Sequence, residues 1–513
     1  MLQSREGNGS HEQQPVNVAL KPVASLKERY GEISGRLLKG VIGIFLLSSF
    51  LLVGFAVVIG QPSWKSPECV NFFEEPAFNA SRRWIPPGNE TDRNATNMSH
   101  VFFGLGGSAR SWQARRHYSE LWWKPGESRG FVWLDERPNY TWSGAGPPYR
   151  VSEDTSRFPF SSGSGTRSAV RLARILLESV RLRETGVRWY LLGDDDTVFF
   201  TENLVSVLGK YDHEEMYYVG GISESVEQDV MHSYGMAFGG GGFAVSHVLA
   251  EELAGLLDGC LLRYGYFYGS DQRVAACLAE LGVPLTRELG FHQLDIRGDA
   301  YGILAAHPVA PLVSLHHLDN LKPLLPGKKS QEESLASIFG AASLDQGRAM
   351  QQSFGYDPER KWSVSVSWGY TVQIYPWVVP PYEMAKAFQT FKTWRSWQAG
   401  PFTFNTRAWP SDPCEQPLVY MLESATAVET ELGTLTRSVY KKGVVENECR
   451  GKASYKEALK IEKVEVLAPK MGPDAWKKGP RRYCTEIDHK IINRSLIVKL
   501  RKCRAGQSFS PPP

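Results

Sequence analysis

At 513 residues, 42% hydrophobic and 22% charged, the chain is too apolar to be disordered throughout and long enough for more than one domain. Its net charge of +3 hides an asymmetry, because residues 441–504 carry 18 basic and 8 acidic side chains and leave the remainder net acidic. That basic end suits an acidic glycan or a headgroup surface, or is simply a well-solvated face, and no nucleic-acid partner is expected.

Residues 1–40 are polar and rich in Gly, Ser, Asn and Gln, the composition of a disordered tail. Residues 41–60 carry no charge. A helix of that length spans about 30 Å, the thickness of a bilayer core. Lys21, Lys27, Arg29, Arg36 and Lys39 precede it, and Glu68, Glu74 and Glu75 follow. The basic side stays cytoplasmic, so the pattern predicts a single-pass signal anchor with the bulk of the chain on the far side of the membrane. A cleavable signal peptide is the rival, but the run is long and starts late. Residues 61–99 read as a glycosylated stem. Asn79, Asn89, Asn94 and Asn97 head Asn-X-Ser/Thr triplets there, and Asn139 and Asn493 do so further on. Asn8 also matches, on the predicted cytoplasmic side.

From residue 100 the pattern is α/β. Strands are predicted at 100–105, 130–135, 187–192, 216–220 and 238–245. Helices are predicted at 110–123, 164–185, 248–257 and 271–281. This alternation implies a mainly parallel central sheet with ligands at the carboxyl ends of its strands, over 100–325. Beyond about 326 the character changes. Residues 362–374 alternate with the period of a half-buried strand, and 382–394 read as a helix. The expectation for 326–513 is a smaller, disulfide-containing α+β unit. Cys260, Cys277, Cys414, Cys449, Cys484 and Cys503 are the disulfide candidates, with Cys69 the odd one. None has the C-x-x-C spacing of a zinc site, so an oxidising compartment is the better reading.

The most informative stretch is Trp189-Tyr-Leu-Leu-Gly-Asp194-Asp195-Asp196-Thr, three carboxylates where a buried strand meets a turn. Crowded carboxylates are costly to desolvate without a cation, and oxygen ligands at a strand end suit Mn2+ or Mg2+. The competing reading is a solvated loop or a helix cap. Gly104-Leu-Gly106-Gly107-Ser-Ala109, with Asp135 ending the next strand, has the outline of a dinucleotide fold. The same glycines and Asp135 equally suit a sugar-nucleotide site. Gly239, Gly240, Gly241 and Gly242 either let a ligand lie on backbone amides or form a hairpin bend. Asp271 is a general base or an N-cap. Either His316 or His317 completes a metal shell, or both are structural.

Taken in order, the acidic triplet, the Gly-rich turn, Asp271 before a Cys-bearing helix and His316-His317-Leu318 resemble the inverting fringe and beta-1,3-galactosyltransferase family. Phe291-His-Gln-Leu-Asp-Ile-Arg-Gly298 and the run from His307 to Leu318 resemble its plant fringe-related branch, which carries a domain of unknown function, DUF604. The resemblance covers about 100–409. It implies a GT-A fold, a UDP-sugar donor, Mn2+ (or Mg2+), a glycan or glycoprotein acceptor, and anchoring in the Golgi membrane. It assigns the metal to Asp194, Asp196 and His317, with His316 nearly equal, and the base to Asp271. Ser270 stands where fringe proteins carry a first acidic residue. Asp195, Asp135, Arg115, Arg116, Gly240 and Gly241 would meet the nucleotide sugar, with Trp122 lining its pocket. Cys260 and Cys277 would form one disulfide. Three alternatives are a catalytically silent lectin or scaffold of the same fold, a receptor ectodomain, and a dinucleotide-dependent oxidoreductase.

Overall fold

β1 (Val101–Gly106), and β4 (Trp189–Asp194) up to its final aspartate, are apolar and buried on both faces, which is why they lie side by side at the centre of a sheet. The computed structural model describes residues 95–511, apart from 432, 444–448, 450, 472 and 477–479. The tail, the anchor expected at 41–60, most of the stem, and Asn79, Asn89 and Asn94 lie outside the described residues. Among the described residues no helix is long and apolar enough to cross a membrane. Asn97, Asn139 and Asn493 are exposed.

The central sheet adds β2 (Arg129–Leu134), β3 (Tyr149–Val151), β6 (Tyr218–Gly220), β7 (Phe243–Ser246) and β8 (Leu285–Arg287), in the order β3-β2-β1-β4-β7-β6-β8. Every strand is parallel to β1 except β7, which runs against both neighbours. A short β5 (Val198–Phe199) leaves this sheet and pairs with Ser314–Leu315. Successive side chains of β1 serve two cores: Val101, Phe103 and Leu105 on one face, and Phe102 on the other. The second face is covered by the helices Ser168–Val180 and His247–Arg263. Gly104 and Gly106 leave room for that packing. A Cβ on Gly104 would lie 2.9 Å from Ile175, and one on Gly106 would lie 2.6 Å from Leu172.

Inside the helix Ser168–Val180, fully buried Arg174 meets Glu153 (2.9 Å), Glu178 (3.3 Å) and Asp258 (2.8 Å). Glu178 is the surplus acid, and burial raises its carboxyl to about 7 against the pull of Arg174. Its folded pKa exceeds the unfolded 4.5, so this group favours folding at low pH and the advantage is lost as pH rises through 7. We therefore expect Glu178→Gln to be nearly neutral at pH 4.5 and to stabilise by up to about 3 kcal/mol at pH 8. Denaturant melts at the two pH values test this, and equal ΔΔG at both would refute it.

The C-terminal part, expected as a smaller disulfide-containing α+β unit, is built on a closed barrel of eight strands. In barrel order these are Gln352–Asp357, Trp362–Ser367, Thr371–Tyr375, Leu418–Thr430, Gly433–Lys442, Lys463–Pro469, Ser495–Arg501 and Cys484–Ile487. The single strand expected at 362–374 is two, because Gly369 takes a positive φ of 76° and turns the chain into a hairpin. The helix expected at 382–394 ends at Met384; Ala387–Phe388 and Phe391–Thr393 instead find strand partners in Thr406–Arg407 and Ile296–Gly298. Barrel residues Val364, Val372 and Tyr420 share one hydrophobic core with Phe103 and Leu191, so the described residues form one compact unit. Three disulfides join Cys260 to Cys277, Cys414 to Cys449 and Cys484 to Cys503. The first ties the helix His247–Arg263 to the helix Ser270–Glu280, whose opening turn carries Asp271.

Candidate functional site

β4 ends on Asp194, and the turn after it is tied down at several points. Asp195 N–H donates to Gly106 O (2.8 Å), and Thr197 Oγ1 donates to Gly240 O (2.7 Å). Trp122 is buried and donates from its indole to Thr197 O (3.2 Å), so it anchors the turn from beneath. Pairing of Val198 with Leu315 then sets residue 316 beside residue 196. His316 Nε2 lies 3.0 Å from Asp196 Oδ1 and 3.7 Å from Asp194 Oδ2. One ligand atom from each of Asp194, Asp196 and His316 falls within 4.8 Å of the others.

His317, the expected third ligand, turns elsewhere. Its backbone is left-handed (φ 55°), its Nδ1 lies 2.9 Å from Asp295 Oδ1, and its ring stacks on Trp394 at 4.4 Å. The two imidazole rings stay in contact, with centroids 3.9 Å apart, but the left-handed turn directs the His317 nitrogen to Asp295, and among the described residues only His316 places an atom with the two carboxylates.

Electrostatics follow from this crowding. Burial, with Asp196, Asp271 and Asp195 adding to it and His316 opposing, raises the Asp194 carboxyl to about 7. Burial would also raise Asp196, but His316 and Arg115 hold it well below the usual carboxylate range. His316 would be lowered by burial, yet Asp196 and Asp194 lift it to about 9. Arg115 bridges the cluster, at 2.9 Å from Asp195 Oδ1 and 3.3 Å from Asp196 Oδ2. Ser111 Oγ donates to the other oxygen of Asp195 (3.0 Å). An imidazolium and a guanidinium thus do the neutralising. Two carboxylates and an imidazole are a donor set that fits Mn2+ or Mg2+, and binding would release the imidazole proton.

Asp271 sits in the first turn of its helix, with Gly269 as the N-cap, so it is not the cap itself. Its Oδ2 accepts from Gly239 N–H (2.9 Å) and its Oδ1 from Ser270 Oγ (2.8 Å). Asp194, Asp271, Gly106, Gly193 and Gly239 line one small cavity.

The other candidates fall into two groups. Asp195 and Arg115 are part of the cluster. Arg116 instead pairs with Glu120 (3.4 Å). Asp135 accepts from Ala109 N–H and Ser108 Oγ, both at 2.9 Å, and so braces the turn after β1. Gly241 N–H donates to Gln293 Oε1 (2.6 Å), which leaves it occupied. Gly240 is needed for room: a Cβ there would overlap the His316 ring. Gly240→Ala is expected to lower Mn2+ affinity about 10- to 100-fold, as disturbed ligand support does. Gly255→Ala, whose Cβ meets nothing, should not. Calorimetric titration of both variants decides it, and equal affinities would show that His316 does not hold metal.

Sequence reasoning gave no role to Tyr118, whose hydroxyl donates to Asp319, to Ser111, or to Asp295 and Trp394, which hold His317. Asp295 lies inside a quoted motif, but nothing local marks it as the partner of a histidine twenty-two residues on.

A family model described as a protein of unknown function, DUF604, matches residues 228–485, a stretch that holds Asp271, His316 and Trp394 but begins after the acidic turn. No curated protein matches the chain. With a match over half its length, the chain belongs to the DUF604 family, which is related to the fringe-like glycosyltransferases.

Proposed function

We propose that this protein is an inverting, divalent-metal-dependent glycosyltransferase of GT-A architecture that moves a hexose or N-acetylhexosamine from a UDP-sugar to a hydroxyl of a glycan or glycoprotein, in a beta-1,3 linkage. The observation that carries the reading is the convergence of Asp194, Asp196 and His316 at the end of β4, with Asp271 on the same small cavity. A parallel sheet with one reversed strand beside β4 supports it further, because ligand sites gather at the carboxyl ends of such strands. Anchoring in the Golgi membrane through residues 41–60 belongs to the same proposal.

Mn2+ or Mg2+ held by Asp194, Asp196 and His316 would supply neutralising charge for the leaving diphosphate. Arg115, fixed by Asp195, adds a second positive charge on the same side. Asp271 takes the proton of the acceptor hydroxyl onto a carboxylate oxygen. The freed oxygen bonds to the anomeric carbon from the face opposite the diphosphate, the bond from that carbon to phosphate oxygen breaks, and UDP departs. Attack from that face inverts an alpha-linked donor to a beta product. Hydrogen bonds from Gly239 and Ser270 orient the Asp271 carboxylate for this task.

The test is hydrolysis and transfer from a panel of UDP-sugars, with Mn2+ or with EDTA. Turnover that depends on the ion supports the reading and names the donor. Folded protein that binds no UDP under any metal would replace it with a lectin or scaffold.

A further inference from the structure

A second cavity lies apart from the one beside Asp194. It measures about 390 Å3, the size of a ligand pocket, and opens between the central sheet and the C-terminal part. One wall is the chain leaving β6 and β8 at their carboxyl ends, Gly221–Glu224 and Arg287–Leu289. The other wall includes Tyr382, Phe404 and Arg482.

The charges lining it do not balance. Glu224 is satisfied internally, with His292 Nδ1 at 3.0 Å and Leu294 N–H at 2.7 Å. Glu288 is held by Lys210 (2.7 Å) and Tyr211 (2.6 Å). Lys386 pairs with Glu383 (2.7 Å). Arg287 and Arg482 remain, and neither is in an ion pair among the described residues. Among the described residues Arg482 donates to Gln352 O (3.2 Å) and lies over the Phe354 ring at 5.0 Å. Burial pushes it down to about 10, with no acid to offset the shift. Burial raises the carboxyl of Asp229 against the pull of Arg287, which does not pair with it, and Glu224 and Glu288 of the same lining are occupied elsewhere. Two guanidinium groups outside any ion pair in one concave site suit a carboxylate, which they can grip by paired hydrogen bonds. Tyr382, 66% exposed, and Leu289, 56% exposed, offer apolar surface at the same site, suited to the face of a sugar ring.

The cavity is also linked to the transferase site. Ser223, in its wall, donates to Asp295 Oδ2 (2.7 Å), and the other oxygen of Asp295 contacts His317, the neighbour of His316. We propose that this cavity is the subsite for a carboxylate-bearing saccharide, the uronic-acid part of a glycan acceptor, held by Arg287 and Arg482. The assignment to an acceptor rests on the transferase reading; the saccharide site does not.

The experiment is a calorimetric titration of the full chain with trigalacturonate, with neutral galactotriose, and with inorganic phosphate. The acidic trisaccharide is expected to bind at least about tenfold tighter than the neutral one, the discrimination a charge-assisted pair supplies. Arg287→Gln, at an exposed position, and Arg482→Gln should each remove about that much, and Asp196→Ala should remove none. Equal binding of the two saccharides, binding of neither, or an unchanged Arg287→Gln would overturn the proposal. Phosphate binding as tightly as trigalacturonate would overturn it too, reducing the site to an adventitious anion only. UDP titrated with Mn2+ on the same sample separates the two readings. If UDP fails while trigalacturonate binds, the acceptor assignment falls and an acidic-saccharide site stands.

Discussion

Asp196→Asn should lower metal-dependent turnover of a UDP-sugar by about 10^3-fold, since loss of one charged ligand weakens both ion binding and stabilisation of the leaving diphosphate by several kcal/mol. The size of the effect follows from where Asp196 stands. It is 3% exposed, it contacts both His316 and Arg115, and it holds its negative charge more firmly than Asp194 does. Asn keeps the volume and one acceptor oxygen, so a folding defect is the smaller part of what is measured. Asp196→Ala serves as the harsher control, because it leaves the buried His316 imidazolium without its nearest acid. Turnover, Mn2+ affinity and thermal stability should be read together. Asn at this position with activity within a few-fold of native, at saturating Mn2+, would remove Asp196 from the ligand set.

Asp271→Asn should lower the transfer rate by about 10^2- to 10^4-fold, the contribution of a positioned general base, while donor and metal binding stay within a few-fold. The separation of rate from binding is the informative part. Asp271 touches Gly239 N–H and Ser270 Oγ and contributes no atom to the ligand group around His316. Asn still accepts from Gly239 N–H through its carbonyl oxygen, so the turn around the cavity keeps its support. Loss of Mn2+ affinity equal to the loss in rate would show that Asp271 acts through the metal site. An unchanged rate would send the search for a base elsewhere along the cavity.

The central elements were legible because their cause is local. Residues 101–106 and 189–193 are unbroken apolar runs, and such runs become buried strands wherever helices cover them. The C-terminal part was less legible. Phe388 and Phe391 suit a helix face as well as a strand, and only their partners in Thr406–Arg407 and Ile296–Gly298 make them strands. Gly104 and Gly106 are ambiguous in another way. A glycine that admits a helix and one that admits a ligand look alike in sequence, and here the two meet Ile175 and Leu172 while also lining the cavity beside Asp194.

The sequence alone therefore determined the acidic turn at the end of β4, Asp271 at the opening of a cysteine-bearing helix, and the six cysteines that pair. Each is a matter of residue type and position along one element. Tertiary structure decided what lies across from what. The pairing of β5 with Ser314–Leu315, and the left-handed backbone at His317, put His316 against Asp196 and turned His317 towards Asp295. Arg482, far along the chain and two residues before the disulfide-bonded Cys484, reached a cavity bounded by the chain leaving β6 and β8. Those choices depend on register and on packing between distant segments, which residue order carries only through the whole fold.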